Sequence, residues 1–150
     1  MEENNISGFT FLSFDNCTQI DFQKLNCFFK YSKKLKYVNI YIVNLTYREV
    51  LYESILSNNR IEEIDLSFQD QSKLYEKIII CLKSNKNLKT INLKKCYLKI
   101  RKDLIEAAAS NSSLIDLNLE RNDIDDSSFP LLKNHLDKIH IDKEMKEAIK

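Results

Sequence analysis

One spacing of apolar residues, apolar-x-x-apolar-x-apolar, returns five times along the chain. It begins at Phe9, Leu35, Ile61, Leu88 and Leu114, in steps of 26, 26, 27 and 26 residues. A second column follows at Leu12, Val38, Ile64, Ile91 and Leu117, and a third at Phe14, Ile40, Leu66, Leu93 and Leu119. Alternation across the second and third columns has the period of a half-buried strand. Units this short cannot each close a core, so each must bury its apolar side against its neighbours.

Between the strands the period becomes helical. Leu25 and Phe29, Leu51 and Ile55, Ile78 and Leu82, and Leu104 and Ala108 are pairs four apart, which places each pair on one helical face. Helices are expected over 21–31, 47–57, 72–84, 101–110 and 128–136. Ser57-Asn58, Ser84-Asn85 and Ser110-Asn111 precede the next strand at one offset. Asn tolerates the left-handed conformation that ends a helix, and the chain has a single Gly for that task. Pro130 fits the first turn of the last of these helices, behind Asp126, Ser127 or Ser128 as N-cap.

After Leu114 the pattern shortens: Leu136, Ile139 and Ile141 repeat the spacing 22 residues on, and the tail reads as a polar amphipathic helix. The organisation expected is a lead-in over 1–8, repeats over 9–135 and a degenerate closing repeat over 136–150 that caps the C-terminal end. With only MEENNISG ahead of the first strand, the N-terminal sheet edge is expected to be poorly covered, open to a partner chain, a second copy or further sequence.

The strings SNKNLKTINLKKCYL and SNSSLIDLNLERNDI resemble the leucine-rich repeats of the ribonuclease-inhibitor type, found also in NOD-like receptors and in effector proteins of intracellular bacteria. The resemblance covers about residues 9–141. It implies an α/β leucine-rich-repeat solenoid, a short right-handed horseshoe arc of five full repeats plus the closing one. Its parallel β-sheet would be concave, its helices convex and its setting intracellular. The fourth column, usually Asn or Cys in this type, reads Cys17, Val43, Gln69, Cys96 and Asn122. Gln19, Gln69 and Gln71 depart from the type, so the turn after the strand is expected to vary. The motif specifies a fold rather than a function. A chain of this length leaves no room for a complete NOD-like receptor, and an isolated module of this kind is usually an adaptor, an inhibitor or an effector.

With 23 basic against 22 acidic residues and a net charge of +1, nothing draws the chain generally toward nucleic acid or anionic membrane. No secretory signal and no membrane-spanning run is read, and neither nucleic acid nor membrane is expected as a partner. Cys17, Cys27, Cys81 and Cys96 form no C-x-x-C pair. Cys17 and Cys96 fall three layers apart, roughly 14 Å, beyond the disulfide limit of about 7 Å. Reduced thiols in the cytoplasm are therefore expected, or in the host cytosol for a bacterial effector.

The same residues offer no reaction chemistry. His135 and His140 lack neighbouring ligands at metal spacing, the cysteines sit in structural columns, and one Gly cannot build a phosphate loop. No enzyme activity, cofactor or metal is expected.

Binding is expected on the open face of the sheet. Between the second and third columns stand Ser13, Asn39, Asp65, Asn92, Asn118 and His140; two places earlier stand Phe11, Tyr37, Glu63, Thr90, Asp116 and Lys138. After the third column come Asp15, Tyr41, Ser67, Lys94, Glu120 and Asp142, then Asn16, Ile42, Phe68, Lys95, Arg121 and Lys143. Phe11, Tyr37, Tyr41, Ile42 and Phe68 form the favoured contact patch for a partner protein. Asn39, Glu63, Asp65, Asn92 and Asn118 complete the protein-binding candidates. The alternative places Ile42 and Phe68 under the loops as core, with the tyrosines covering the sheet and meeting no ligand. The acidic set Glu63, Asp65, Asp116 and Glu120, flanking Lys94 and Lys95, would select a basic or mixed-charge partner, or else keep the face solvated. Lys83, Lys86, Lys89, Lys94, Lys95, Lys99, Arg101 and Lys102 make the fourth unit basic but are spread over helix, strand and loop. Two further readings stay open: a GTPase-activating regulator inserting loop Arg48 or Arg60, and a structural piece that self-associates through its N-terminal end.

Overall fold

The computed structural model describes residues 8–9, 22–41 and 45–149. The protein is mixed α/β. Strands β1 (Gly8–Phe9), β2 (Tyr37–Asn39), β3 (Glu63–Asp65), β4 (Thr90–Asn92), β6 (Asp116–Asn118) and β8 (Ile139–His140) form one sheet in chain order, every pair parallel. Strands β5 (Lys99–Ile100) and β7 (Asp123–Ile124) make a second, two-stranded parallel pair, which the apolar columns do not reveal. The helices are α1 (Phe22–Tyr31), α2 (Leu45–Ser57), α3 (Tyr75–Ser84), α4 (Lys102–Ser110), α5 (Phe129–Leu132) and α6 (Lys143–Ala148).

Register follows the apolar columns from β2 onward. Val38 pairs with Ile64, Ile64 with Ile91, Ile91 with Leu117, and Leu117 with Ile139. All five are buried, in one core with the helix residues Phe29, Leu51, Ile55, Ile78, Leu82, Leu104 and Ala108. A one-residue slip would turn every one of these strand side chains to water, which is why burial on one face holds the register. The exception is β1: Phe9 lies opposite Val38 and Gly8 opposite Tyr37, three places from the expected pairing of Leu12 with Val38. Two paired residues at a sheet edge, with one neighbouring strand, specify register weakly.

The helix ends correct the expected role of Asn. Asn85 and Asn111 are extended, with φ of −78° and −79°, and Asn58, Asn85 and Asn111 are buried. Their side-chain amides tie one unit to the one before. Asn58 Nδ2 donates to Phe29 O at 2.8 Å, Asn85 Nδ2 to Ile61 O at 3.1 Å, and Asn111 Nδ2 to Leu82 O at 2.6 Å. The Oδ1 atoms of Asn85 and Asn111 accept from the Leu88 and Leu114 amides that open the next strands. Asn thus satisfies helix-end carbonyls and strand-entry amides that burial would otherwise orphan.

A second ladder runs along the fourth column. Gln69 Nε2 donates to Ile40 O at 2.9 Å, Cys96 Sγ to Leu66 O at 3.1 Å, and Asn122 Nδ2 to Leu93 O at 2.8 Å. The buried Tyr52 hydroxyl joins it, bonded to Ile40 O and to Gln69. Three side-chain types therefore do one job, and the expected variation lies in the side chain more than in the backbone. The residue ahead of this column is left-handed each time: Phe68 (φ 61°), Lys95 (φ 52°) and Arg121 (φ 58°). Gln71, two residues past Gln69, is buried with neither amide atom bonded among the described residues, at a cost of about 1–3 kcal/mol.

The helix expected over 128–136 is broken. A 3₁₀ turn over Asp126–Ser128 leads into the four residues of α5, and a second over Lys133–His135 follows. Ser128 takes the N-cap position of α5, with Pro130 in its first turn as expected, but its side chain makes no capping bond; the bonded cap is Asp125, ahead of the 3₁₀ turn, which accepts from the Ser127 amide. A shortened unit leaves too few residues between strands for a full helix. Among the described residues no helix is long and apolar enough to cross a membrane.

Candidate functional site

Because side chains alternate along a strand, residues flanking the buried column face away from the helices. On β2, β3, β4 and β6 the central residue is buried while its neighbours are half-buried or exposed. Tyr37, Glu63, Thr90 and Asp116 form one cross-strand row, and Asn39, Asp65, Asn92, Asn118 and His140 the next. The expected binding residues on these strands therefore share one face.

The second row has a structural duty that spacing alone does not reveal. Asp65 Oδ1 accepts from Ser67 N at 2.9 Å, Asn92 Oδ1 from Lys94 N at 3.1 Å, and Asn118 Oδ1 from Glu120 N at 3.0 Å. Each closes the turn that leaves its strand. Their other polar atoms remain toward the face, and Asn92 Nδ2 donates to Asp65 Oδ2 at 3.2 Å.

Phe68 is 53% exposed and Tyr41 42%, so Phe68 does not tuck into the core. The ring of Phe68 lies beneath the Lys95 ammonium, 6.0 Å from the centroid. Phe11 and Ile42, also expected in this patch, lie outside the described residues, as do Cys17 and Val43 of the fourth column. Tyr97 is an addition: it is 66% exposed and left-handed at φ 56°, just past the same turn. The clue in the sequence was an aromatic next to a fourth-column Cys.

Charges on the face are mostly paired. Lys94 bridges Glu120, and His140 Nε2 stands 3.1 Å from Asp116 Oδ2. At the strand entries Glu62 is held by Lys36 at 2.8 Å and by Lys89 at 2.6 Å. These two ammonium groups hold its carboxyl at about 2, far below the ordinary glutamate value. Within the basic fourth unit Lys89, Lys94, Arg101 and Lys102 all have acidic partners.

The chemical candidates fare differently. Arg48 lies inside α2 and not in a loop, so the expected inserted arginine is corrected there. Arg60 follows the far end of the same helix, about 13 Å of helical rise away, so the two do not share a site. Cys81 and Cys96 are free and buried, and desolvation pushes each thiol up to about 12. Among the described residues no group of three or more His, Cys, Asp or Glu side chains is placed to hold a metal ion.

On the helix side, shallow grooves run between α1 and α2 and between α2 and α3, the second lined by Glu53, Leu56, Lys77 and Ile80. Neither brings together groups that could perform a reaction. No family model matches the chain, and comparison with curated proteins returns no match.

Proposed function

We propose that this chain is a leucine-rich-repeat solenoid of the ribonuclease-inhibitor type and a non-catalytic module that binds a partner protein through the open, concave face of its sheet. The steps of 26 and 27 residues, the parallel strands in chain order and the two side-chain ladders support the solenoid reading. One observation carries the functional reading: a sheet of six parallel strands presents Tyr37, Tyr41 and Phe68 beside polar and charged groups, with no described element of the chain packed over them. Exposed aromatics within a polar frame are the usual anatomy of a protein contact. The buried Cys81 and Cys96 thiols, held protonated at neutral pH, give no nucleophile at these two positions. A cytosolic setting fits those free thiols.

Capture of partners on the immobilised protein tests this reading. A Tyr37→Ala, Tyr41→Ala, Phe68→Ala variant loses at least one partner that the wild type retains, and a Val50→Ala, Ile80→Ala variant on the helix side keeps it. Equal capture by all three proteins contradicts the assignment of the face.

A further inference from the structure

The carboxylates of the open face are unequal. Asp116 stands against His140, Glu120 is bridged to Lys94, and Asp142 Oδ2 accepts from the Arg121 amide. Glu63 and Asp65 form no direct ion pair among the described residues: Glu63 feels the Lys89 ammonium, which is itself bridged to Glu62, and Asp65 accepts only from the Ser67 amide and the Asn92 side chain. They lie two residues apart on one face of β3, which sets them about 6.6 Å apart along the strand. Tyr37 stands directly across from Glu63, and Asn39 directly across from Asp65. Tyr41 and Phe68, both exposed, close the patch at the strand exits.

The charge at Asp65 is not demanded by the fold. Asn92 and Asn118 close the same turn with an amide oxygen, so a neutral residue would serve the backbone equally well. A full negative charge at this position, facing outward beside a second one, therefore calls for an explanation outside the turn.

We propose that Glu63 and Asp65, framed by Tyr37 and Tyr41, receive an arginine side chain of the partner protein. The inference rests on the open-face reading above and names the chemistry of its occupant. Charge complementarity selects a cation, and the two carboxylates at this separation can bracket one group that donates in two directions. A planar guanidinium with five donors does so and can lie against a tyrosine ring, where an ammonium offers a point charge. Lys95, over Phe68, bounds the site on the β4 side, so the arginine enters from the β2 side.

The test titrates the isotopically labelled protein with hexaarginine amide and, separately, with hexaglutamate, following backbone amide resonances at low salt. Hexaarginine shifts residues 37–41 and 63–68 more than the rest. Glu63→Gln, Asp65→Asn weakens it about tenfold, the loss expected for charge-assisted contacts worth about 1.4 kcal/mol. A control variant, Asp123→Asn, Asp137→Asn, removes the same net charge elsewhere and leaves binding unchanged. Both variants are checked for unchanged thermal unfolding, and the Asn at 65 keeps the turn bond. Equal loss in the control, shifts confined to other regions, or no binding overturns the arginine assignment. Hexaglutamate shifting the same residues also overturns it yet leaves the open face its binding role, whereas shifts confined to the helix side count against both readings.

Discussion

Phe68, Lys95 and Arg121 are each bent left-handed where the chain leaves its strand, and Tyr97 shares that conformation just past the turn. A residue with a Cβ is roughly 1–2 kcal/mol less stable there than in the right-handed region. The fourth-column bonds to Ile40, Leu66 and Leu93 hold that bend in place. Glu62 is the other residue whose state is set by its neighbours. Its carboxyl, held at about 2 by Lys36 and Lys89, favours folding above the ordinary glutamate value, and this contribution is lost as pH falls from about 4.5 toward 2. Carboxyl-detected NMR titration is expected to find Glu62 ionised down to about pH 2, and Lys36→Ala, Lys89→Ala to return it toward the usual value. A Glu62 that titrates at the ordinary value in the wild type contradicts its pairing with Lys36 and Lys89.

At the scale of the elements, the buried Asn58, Asn85 and Asn111 side chains follow α2, α3 and α4 and tie these helix ends to their neighbours. Asn85→Ala leaves Ile61 O, Asn87 N and Leu88 N without their partners, and is expected to lower stability by roughly 2–4 kcal/mol in urea unfolding. Asn87→Ala, at an exposed neighbour, is expected to change it by about 0.5 kcal/mol or less. Equal effects would mean the ladder contributes nothing. The elements also show what was legible in the sequence. Leu35, Val38, Ile40 and their counterparts announce strand, face and register because burial acts directly on side-chain polarity. The Asn positions were visible as a repeat but were assigned a backbone role, since spacing does not say which carbonyl lies across from an amide. The same blindness hid the turn bonds of Asp65, Asn92 and Asn118 and the pairing of β5 with β7. The shifted register of β1 and the broken helix after Asp125 fall where the repeat is least complete, toward the two edges of the sheet.

For the whole molecule, helices and the parallel sheet share one core, and the strand side chains on the other side of the sheet make a second wall. Tyr37, Tyr41, Glu63 and Asp65 were legible as members of that second wall from alternation alone. That Glu63 and Asp65 are carboxylates of this wall without a direct ion pair among the described residues emerged only from three-dimensional partners such as Lys94 with Glu120 and His140 with Asp116. The most direct test of the binding role places a photo-crosslinking phenylalanine analogue at Thr90, in the middle of the open face, and in a second protein at Lys77 on the helix side. The account predicts that a protein adduct forms at Thr90, fades when Tyr37 and Tyr41 are replaced by Ala, and is absent at Lys77. An adduct at Lys77 with none at Thr90 would contradict it.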